Sequence, residues 1–329
     1  MIKKIAVIIW LFILVSCQSS TDNKRMIITN ITGELNDVLV VMDSFLWNQK
    51  IGKELKETLE YPYMVLPEYE PSFKVIHIEQ KDFSNIFQLY RNVIIVNIDT
   101  KTKQSKIWYG KDVYAKTQAF IKIKVKNMME LSQLIKENEE KIRVYFHQAE
   151  ITRLQASYKN HIASDVVKKI RKKFAVKINI PANYKLFTDT TDFAWISFET
   201  PSMTQSILVY SRPYINTSQW KKEYLINYRN FIGNKYVPGP RKNSYMSTET
   251  EMPVEYFAGQ DSLQHYYAIV KGLWKVENDF MGGPFISYSF LNKAATKLIT
   301  VEAFVYNPKK DKRKYMMQLE AVIKTARVE

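Results

Sequence analysis

Residues 139–173 read EEKIRVYFHQAEITRLQASYKNHIASDVVKKIRKK. The stretch holds no glycine or proline, and neither does the wider window from Lys111 to Ile180. Leu154, Tyr158, Ile162, Val166, Ile170 and Phe174 recur at every fourth position, which is the spacing of one helical face. The stretch is therefore expected to be one long helix, ~50 Å from end to end at ~1.5 Å per residue. Each step of four residues turns ~400°, so the apolar stripe drifts ~40° per step around the axis. Such a stripe suits a helix that touches different elements at its two ends, and we place it between two lobes. Its last turns carry Lys168-Lys169-Ile170-Arg171-Lys172-Lys173. A solvated face with cations near the C-terminal dipole explains this cluster more simply than an anionic partner does.

Outward from this helix, both flanks are rich in strands. On the amino-terminal side, Asp37-Val38-Leu39-Val40-Val41-Met42 reads as a buried strand, and a helix capped by Asp43 or Ser44 should run to about Leu59. Lys74–Ile78, Asn92–Ile98, Lys106–Tyr109 and Gln118–Val125 are further strands. Asn127 with Glu130 three residues on resembles a capping box, opening a helix to about Asn138. On the carboxy-terminal side, Phe174–Pro181, Phe193–Glu199, Ser206–Ser211, Tyr266–Lys275, Phe285–Phe290 and Lys297–Tyr306 are strand-like. A helix over Trp220–Phe231 should turn Trp220, Tyr224, Tyr228 and Phe231 inward. Asn307-Pro308 should open a last helix that presents Tyr315, Leu319, Ile323 and Ala326 to the core. The expectation is an α+β protein with two lobes of mainly antiparallel sheet and flanking helices. The lobes would span residues 31–138 and 174–329, joined by the 139–173 helix.

Composition narrows the chemistry. The 329 residues carry a formal charge of +15, nine glycines, four histidines and one cysteine. One cysteine excludes an intramolecular disulfide, a cysteine-rich metal cage and a CxxC redox pair. Scarce glycine disfavours phosphate-cradling loops, and there is no Walker loop, GxSxG elbow or dinucleotide fingerprint. His77, His147, His161 and His265 form no HExxH or HxH spacing, so neither a metal site nor a cofactor is expected.

The single cysteine has a telling address. Met1-Ile2-Lys3-Lys4 is a short basic segment, and Ile5 to Val15 is an unbroken apolar run. That run is too short for a membrane span, which needs ~20 residues, and fits the hydrophobic part of a signal peptide. Leu14-Val15-Ser16-Cys17 then has the form of a lipobox. A thiol is needed there because the diacylglycerol is joined through sulfur, and cleavage before Cys17 frees an amine for a further acyl chain. Two or more chains would anchor the protein stably. Residues 1–16 are thus expected to be a signal peptide and residues 17–30 a lipidated polar tether. Position 18 is glutamine rather than aspartate, and Asp22 is the sole acid between Gln18 and Lys24. We therefore expect a cell-envelope lipoprotein on the periplasmic side of the outer membrane. An exported protein is not expected to meet nucleic acid. Its expected partners are the membrane, through Cys17, and an envelope protein or anionic polymer.

Several phrases in the second half occur together: Asn183-Tyr184-Lys185, Tyr236-Val237-Pro238-Gly239-Pro240, Gly272-Leu273-Trp274 and Asn278-Asp279-Phe280-Met281-Gly282-Gly283-Pro284-Phe285. With the lipobox, they resemble a Bacteroidota lipoprotein family classed as a domain of unknown function, over most of the mature chain. That resemblance implies an envelope lipoprotein and transfers no activity or catalytic residue. In layout, the second half is also similar to the PsbP and Mog1-like α/β/α sandwich, whose members mostly serve as binding or accessory modules.

The most distinctive loop is Asp279-Phe280-Met281-Gly282-Gly283-Pro284, where paired glycines would permit close approach of a ligand. Asp279, Gly282, Gly283, Pro284 and, through sequence proximity, His265 are the candidate ligand or partner residues. A tight turn between two strands is the simpler reading of the same loop. In the absence of a catalytic signature, a non-catalytic binding or accessory module is preferred. A hydrolase acting on envelope material at this loop is the alternative.

Overall fold

The computed structural model describes residues 29–329 apart from Ser262. Cys17, the signal segment and most of the tether lie outside the described residues. Two sheets organise the rest. The first contains β1 (Asp37–Val41), β2 (Lys74–Ile78), β3 (Asn92–Ile98), β4 (Lys106–Lys111) and β5 (Ala119–Val125), in spatial order β2-β1-β3-β5-β4. One face is covered by α2 (Lys50–Leu59) and α3 (Met128–Tyr158), whose Leu55, Leu59, Leu131, Ile135, Ile142 and Phe146 pack on Val38, Val40, Ile94 and Ile121. The opposite face carries a smaller cluster built on Leu39, Val41, Val93 and Phe120. Sheets taken together are mainly antiparallel and the fold is α+β, as expected. This amino-terminal sheet departs in detail: β1–β2, β1–β3 and β3–β5 are parallel, and only β4–β5 is antiparallel. Strands buried on both faces, as β1 is throughout, are typical of parallel pairing.

The second sheet contains β6 (Lys185–Asp189), β7 (Phe193–Glu199), β8 (Thr204–Pro213), β9 (Tyr245–Glu249), β10 (Glu255–Gln260), β11 (Tyr266–Glu277), β12 (Gly282–Leu291) and β13 (Lys297–Tyr306). Their order is β9-β11-β12-β13-β8-β7-β6, and β10 pairs the other end of β11. Every pairing is antiparallel. One face packs on α4 (Ser164–Phe174) and α6 (Arg313–Ile323), and the other on α5 (Lys222–Tyr236).

The helices differ from expectation in informative ways. The single helix over 139–173 is instead two. α3 starts at Met128, where the Asn127 side chain accepts from the Glu130 N–H at 2.9 Å, and runs on through Asn138 to Tyr158. A break over residues 159–163 follows, in which Ile162 bridges Pro181, and α4 begins at Ser164. The break removes the drift of the apolar stripe, so Tyr158 and Val166 both reach the same core as Ile170 and Phe174. Arg171 pairs with Glu329, and Lys173 with Asp189, leaving the cluster a partly paired, solvated helix face.

Three further boundaries shift. The helix after β1 breaks at Asn48-Gln49, so a short α1 (Ser44–Trp47), capped by Asp43, precedes α2. Within the Phe174–Pro181 stretch only Val176–Lys177 form a strand, paired with Arg327–Val328, and Pro181 adds the isolated bridge to Ile162. α6 starts at Arg313 rather than after Asn307, because its cap comes from far away. The Glu70 carboxylate accepts the Lys312 N–H at 2.7 Å and the Arg313 N–H at 2.9 Å. α5 turns a different face inward than expected. Leu225, Arg229, Ile232 and Gly233 are buried, whereas Tyr224 and Phe231 are exposed.

Candidate functional site

A cleft of about 840 Å³ opens where α3 meets the second sheet. Alternate strand residues share a face, and β11 and β12 supply its floor with Tyr267, Ile269, Ile286, Tyr288 and Phe290. Their register sets Tyr267 opposite Phe290 and Ile269 opposite Tyr288. The rings form a contiguous surface: Tyr267 and Tyr288 lie 5.6 Å apart, and Tyr288 and Phe290 5.1 Å. Gln148, Ile151 and Gln155, spaced along one face of α3, form a wall. Ile323 and Lys324 at the end of α6, with the segment Ala326–Glu329, form the other. The rim is built from Asp261, Leu263, Gln264 and His265 and from Asn292, Lys293 and Ala295.

Several rim groups are already committed. Lys324 holds Glu320 at 2.7 Å, Gln155 donates to the Ala321 carbonyl at 3.1 Å, and Arg327 donates to the Lys324 and Ala326 carbonyls. Asp261 accepts the Leu263 and His265 N–H groups and lies 3.3 Å from His265 Nδ1. The His265 backbone donor is the main reason its carboxyl sits below the usual range. The Tyr267 and Tyr288 hydroxyls, by contrast, make no hydrogen bond to the described residues. Burial pushes the Tyr288 hydroxyl upward, against the pull of Arg327, so it stays protonated and can donate. The described lining offers aromatic faces, phenol hydroxyls and amides, and no nucleophile with a base beside it. It is equipped to hold a ligand.

Beside the cleft, α6 and α3 are stitched through Glu320. Its carboxylate accepts from Tyr63 at 2.6 Å and lies 3.2 Å from His147 Nε2, and Lys324 closes the set. Burial works to raise this carboxyl, but His147 and the lysines outweigh it and hold it well below the usual range. Tyr63 is pushed well up by burial first and by Glu320 second.

The residues singled out in the sequence do not gather into one place. Asp279 belongs to a hairpin turn between β11 and β12, closed by the Val276 N–H on the Met281 carbonyl at 2.8 Å. Its carboxylate accepts the Phe280 N–H at 2.6 Å and meets Arg241 at 3.2 Å. Gly282, Gly283 and Pro284 lie within β12, opposite Lys275, Trp274 and Leu273. A Cβ on Gly283 would sit 2.3 Å from the Val305 carbonyl oxygen and 3.1 Å from Trp274 Nε1. The glycine makes room for an indole and a neighbouring strand. His265 precedes β11 and Asp279 follows it, so the length of that strand, roughly 40 Å at ~3.3 Å per residue, separates them. The expected proximity of His265 to the loop is thus overturned, and His265 stands on the cleft rim instead. His77 stacks on Trp47 at 4.6 Å and is a packing residue. Cys17 lies outside the described residues.

Tyr267, Tyr288, Gln148 and Gln155 were not legible as site residues. Period-two placement would have put Tyr288 with Phe290 on one strand face, but the helix that walls them comes from the other half of the chain.

Residues 31–159 match the family model described as Domain of unknown function (DUF8532), and residues 163–325 match Domain of unknown function (DUF4837). The two matches meet at the break between α3 and α4, so the cleft lies between them. Comparison with curated proteins gave no match. Among solved structures, a mutant of the protein Mog1 is similar at 9% identity and a TM-score of 0.29, covering 47% of this chain and 90% of its own. A Bacteroides thetaiotaomicron structure is similar at 10% identity and a TM-score of 0.21, covering 47% of this chain and 45% of its own. Both likenesses are too loose to carry function.

Proposed function

We propose that the protein is a non-catalytic envelope lipoprotein, anchored through lipid on Cys17, that holds an envelope polymer or partner protein in the cleft between its two halves. The observation that supports the binding reading is the cleft itself: a continuous Tyr267–Tyr288–Phe290 surface with two phenol hydroxyls that no group among the described residues uses. The lipobox supports the anchor, and outer-membrane attachment facing the periplasm is the location that the tether favours. The hydrolase alternative at Asp279–Pro284 loses its motive, because hairpin geometry and packing account for that loop.

Two experiments test the reading. Cys17→Ser should abolish labelling by radioactive palmitate and release the protein from the membrane fraction. Unchanged labelling would sink the anchor. A photocrosslinking amino acid at position 264, on the cleft rim, should give a reproducible adduct in intact cells, and one at position 168, on α4, should not. Equal or absent adducts at both positions would refute the cleft as the binding site.

A further inference from the structure

On the face of the second sheet away from the cleft, under α5, lies a small polar chamber. Its lining includes Arg212, Arg229, Tyr210, Ser287, Ser289 and Thr300. It measures about 10 Å³, room for one water-sized sphere. The hydrophobic surroundings are those of a core: Leu225, Val270 and Phe285 are all buried.

Charge in this chamber does not balance. Arg229 is fully engaged, with Nε and Nη2 on Glu302 at 3.0 and 2.8 Å and Nη1 on Thr248 at 2.9 Å. The second Glu302 oxygen accepts from Tyr210 at 3.2 Å. That leaves Arg212. Its residue is 7% exposed, and its buried Nη1 has no hydrogen-bond partner. Among the described residues it has no ion pair. Tyr224 and Tyr228 clasp the guanidinium, with ring centroids at 4.4 and 4.1 Å. A guanidinium does not shed its proton, and rings compensate a buried cation only in part. Hydroxyl donors complete the lining: Ser289 and Thr300 share one hydrogen bond at 2.8 Å, and Ser287 stands on the adjacent position of the same face.

We propose that this chamber is a binding site for a single monatomic anion of chloride size, held by the free Arg212 N–H, by the Ser287 hydroxyl and by whichever of the Ser289 and Thr300 hydroxyls does not donate to the other. Phosphate, sulfate and carboxylates are several times too large for this space, whereas chloride exceeds a water-sized sphere only slightly and enters once the serine and threonine hydroxyls turn outward. The excess positive charge argues for an anion over a water molecule. The ion would lock α5 onto the sheet.

The test uses the purified protein. Melting is compared at equal ionic strength in potassium chloride and in potassium gluconate, whose anion cannot enter. Chloride should raise Tm saturably, by on the order of 3 °C for a ligand well above its Kd. Arg212→Met should remove the response, and Ser289→Ala, which keeps the charge, should raise the half-saturating chloride concentration several-fold. Crystals soaked in bromide should show an anomalous peak beside Arg212. Should Arg212→Met fail to fold, Ser289→Ala and bromide still decide. Equal melting in both salts overturns the proposal, as does a soaked crystal with only water in the chamber. A bromide peak without a chloride response in solution overturns it too.

Discussion

Gly283→Ala separates a packing glycine from a ligand-approach glycine. The added methyl would stand 2.3 Å from the Val305 carbonyl oxygen, about 1 Å inside normal contact, and 3.1 Å from Trp274 Nε1. Neither neighbour can retreat easily. Val305 is fully buried in β13, and Trp274 is packed between Phe304 and Tyr306 while donating its indole N–H to that same carbonyl at 3.2 Å. Overpacking of this kind costs ~1–3 kcal/mol, and disrupting the buried indole hydrogen bond adds ~1–3 kcal/mol. Alanine recovers ~0.4–1 kcal/mol through the unfolded chain. The expected net loss is roughly 1–6 kcal/mol, or a fall in Tm of about 2–9 °C at ~2.1 cal/mol/K of unfolding entropy per residue. Urea unfolding followed by tryptophan fluorescence measures it, because Trp274 reports directly. Gly282→Ala, whose Cβ meets only the Trp274 carbonyl at 2.8 Å, should cost less. A loss below ~0.5 kcal/mol with an unchanged m-value would refute the packing argument and return the loop to candidacy as a ligand site.

Glu320→Gln should destabilise by roughly 3 kcal/mol at neutral pH, because it leaves His147 and Lys324 facing a neutral amide in a buried seam. The wild-type carboxyl is held below its ordinary value, so its contribution is complete above the unfolded carboxylate range near ~4.3 and is lost as pH falls through the folded value. The stability gap between wild type and variant should therefore shrink in acid solution below the unfolded carboxylate range; a gap that widened there would contradict the assignment. Glu70→Ala should cost ~1–2 kcal/mol by uncapping α6, and amide exchange should quicken in the first turn from Arg313 before anywhere else in that helix. Asn127→Ala should cost ~0.5–2 kcal/mol, read by thermal melting, with no effect on α4.

Where local pattern suffices, the sequence and the structure agree. Phe193–Glu199 and Lys297–Tyr306 are strands with the expected ends, and Asn127 caps α3. These features depend on period-two apolar placement and a three-residue cap, both contained in a few residues. The continuous helix over 139–173 failed for a different reason. No glycine or proline marks its break, which is set by Ile162 bridging Pro181, nineteen residues away. The cleft was illegible because its floor and its α3 wall come from different halves of the chain.

The misread faces and start of the carboxy-terminal helices share one physical cause, which is charge in the core. On α5 the aromatic stripe looked like the buried face, but the interior belongs to Leu225, Arg229 and Ile232. Arg229 can be there only because Glu302, 73 residues away, neutralises it. On α3, Glu150 is wholly buried and takes Arg91 at 2.6 Å, Arg153 at 2.9 Å and Asn92 at 2.7 Å. On α6, Glu320 is buried against Tyr63 and His147, and the helix begins where Glu70 can cap it. Hydropathy assigns each of these acids and bases to solvent, because a lone buried charge is prohibitive. Only the pairing makes burial tolerable, and pairing is a property of the fold rather than of any window of sequence. The same pairs run across the junction between the two matched families: Tyr63–Glu320, His147–Glu320 and Glu70–Arg313 each join residues 31–159 to residues 163–325. Splitting such pairs would strand buried charges on both sides. The seam that walls the cleft is thereby held by specific geometry, and the aromatic floor of Tyr267 and Tyr288 keeps its α3 wall only while α3 stays where Glu320 fixes it.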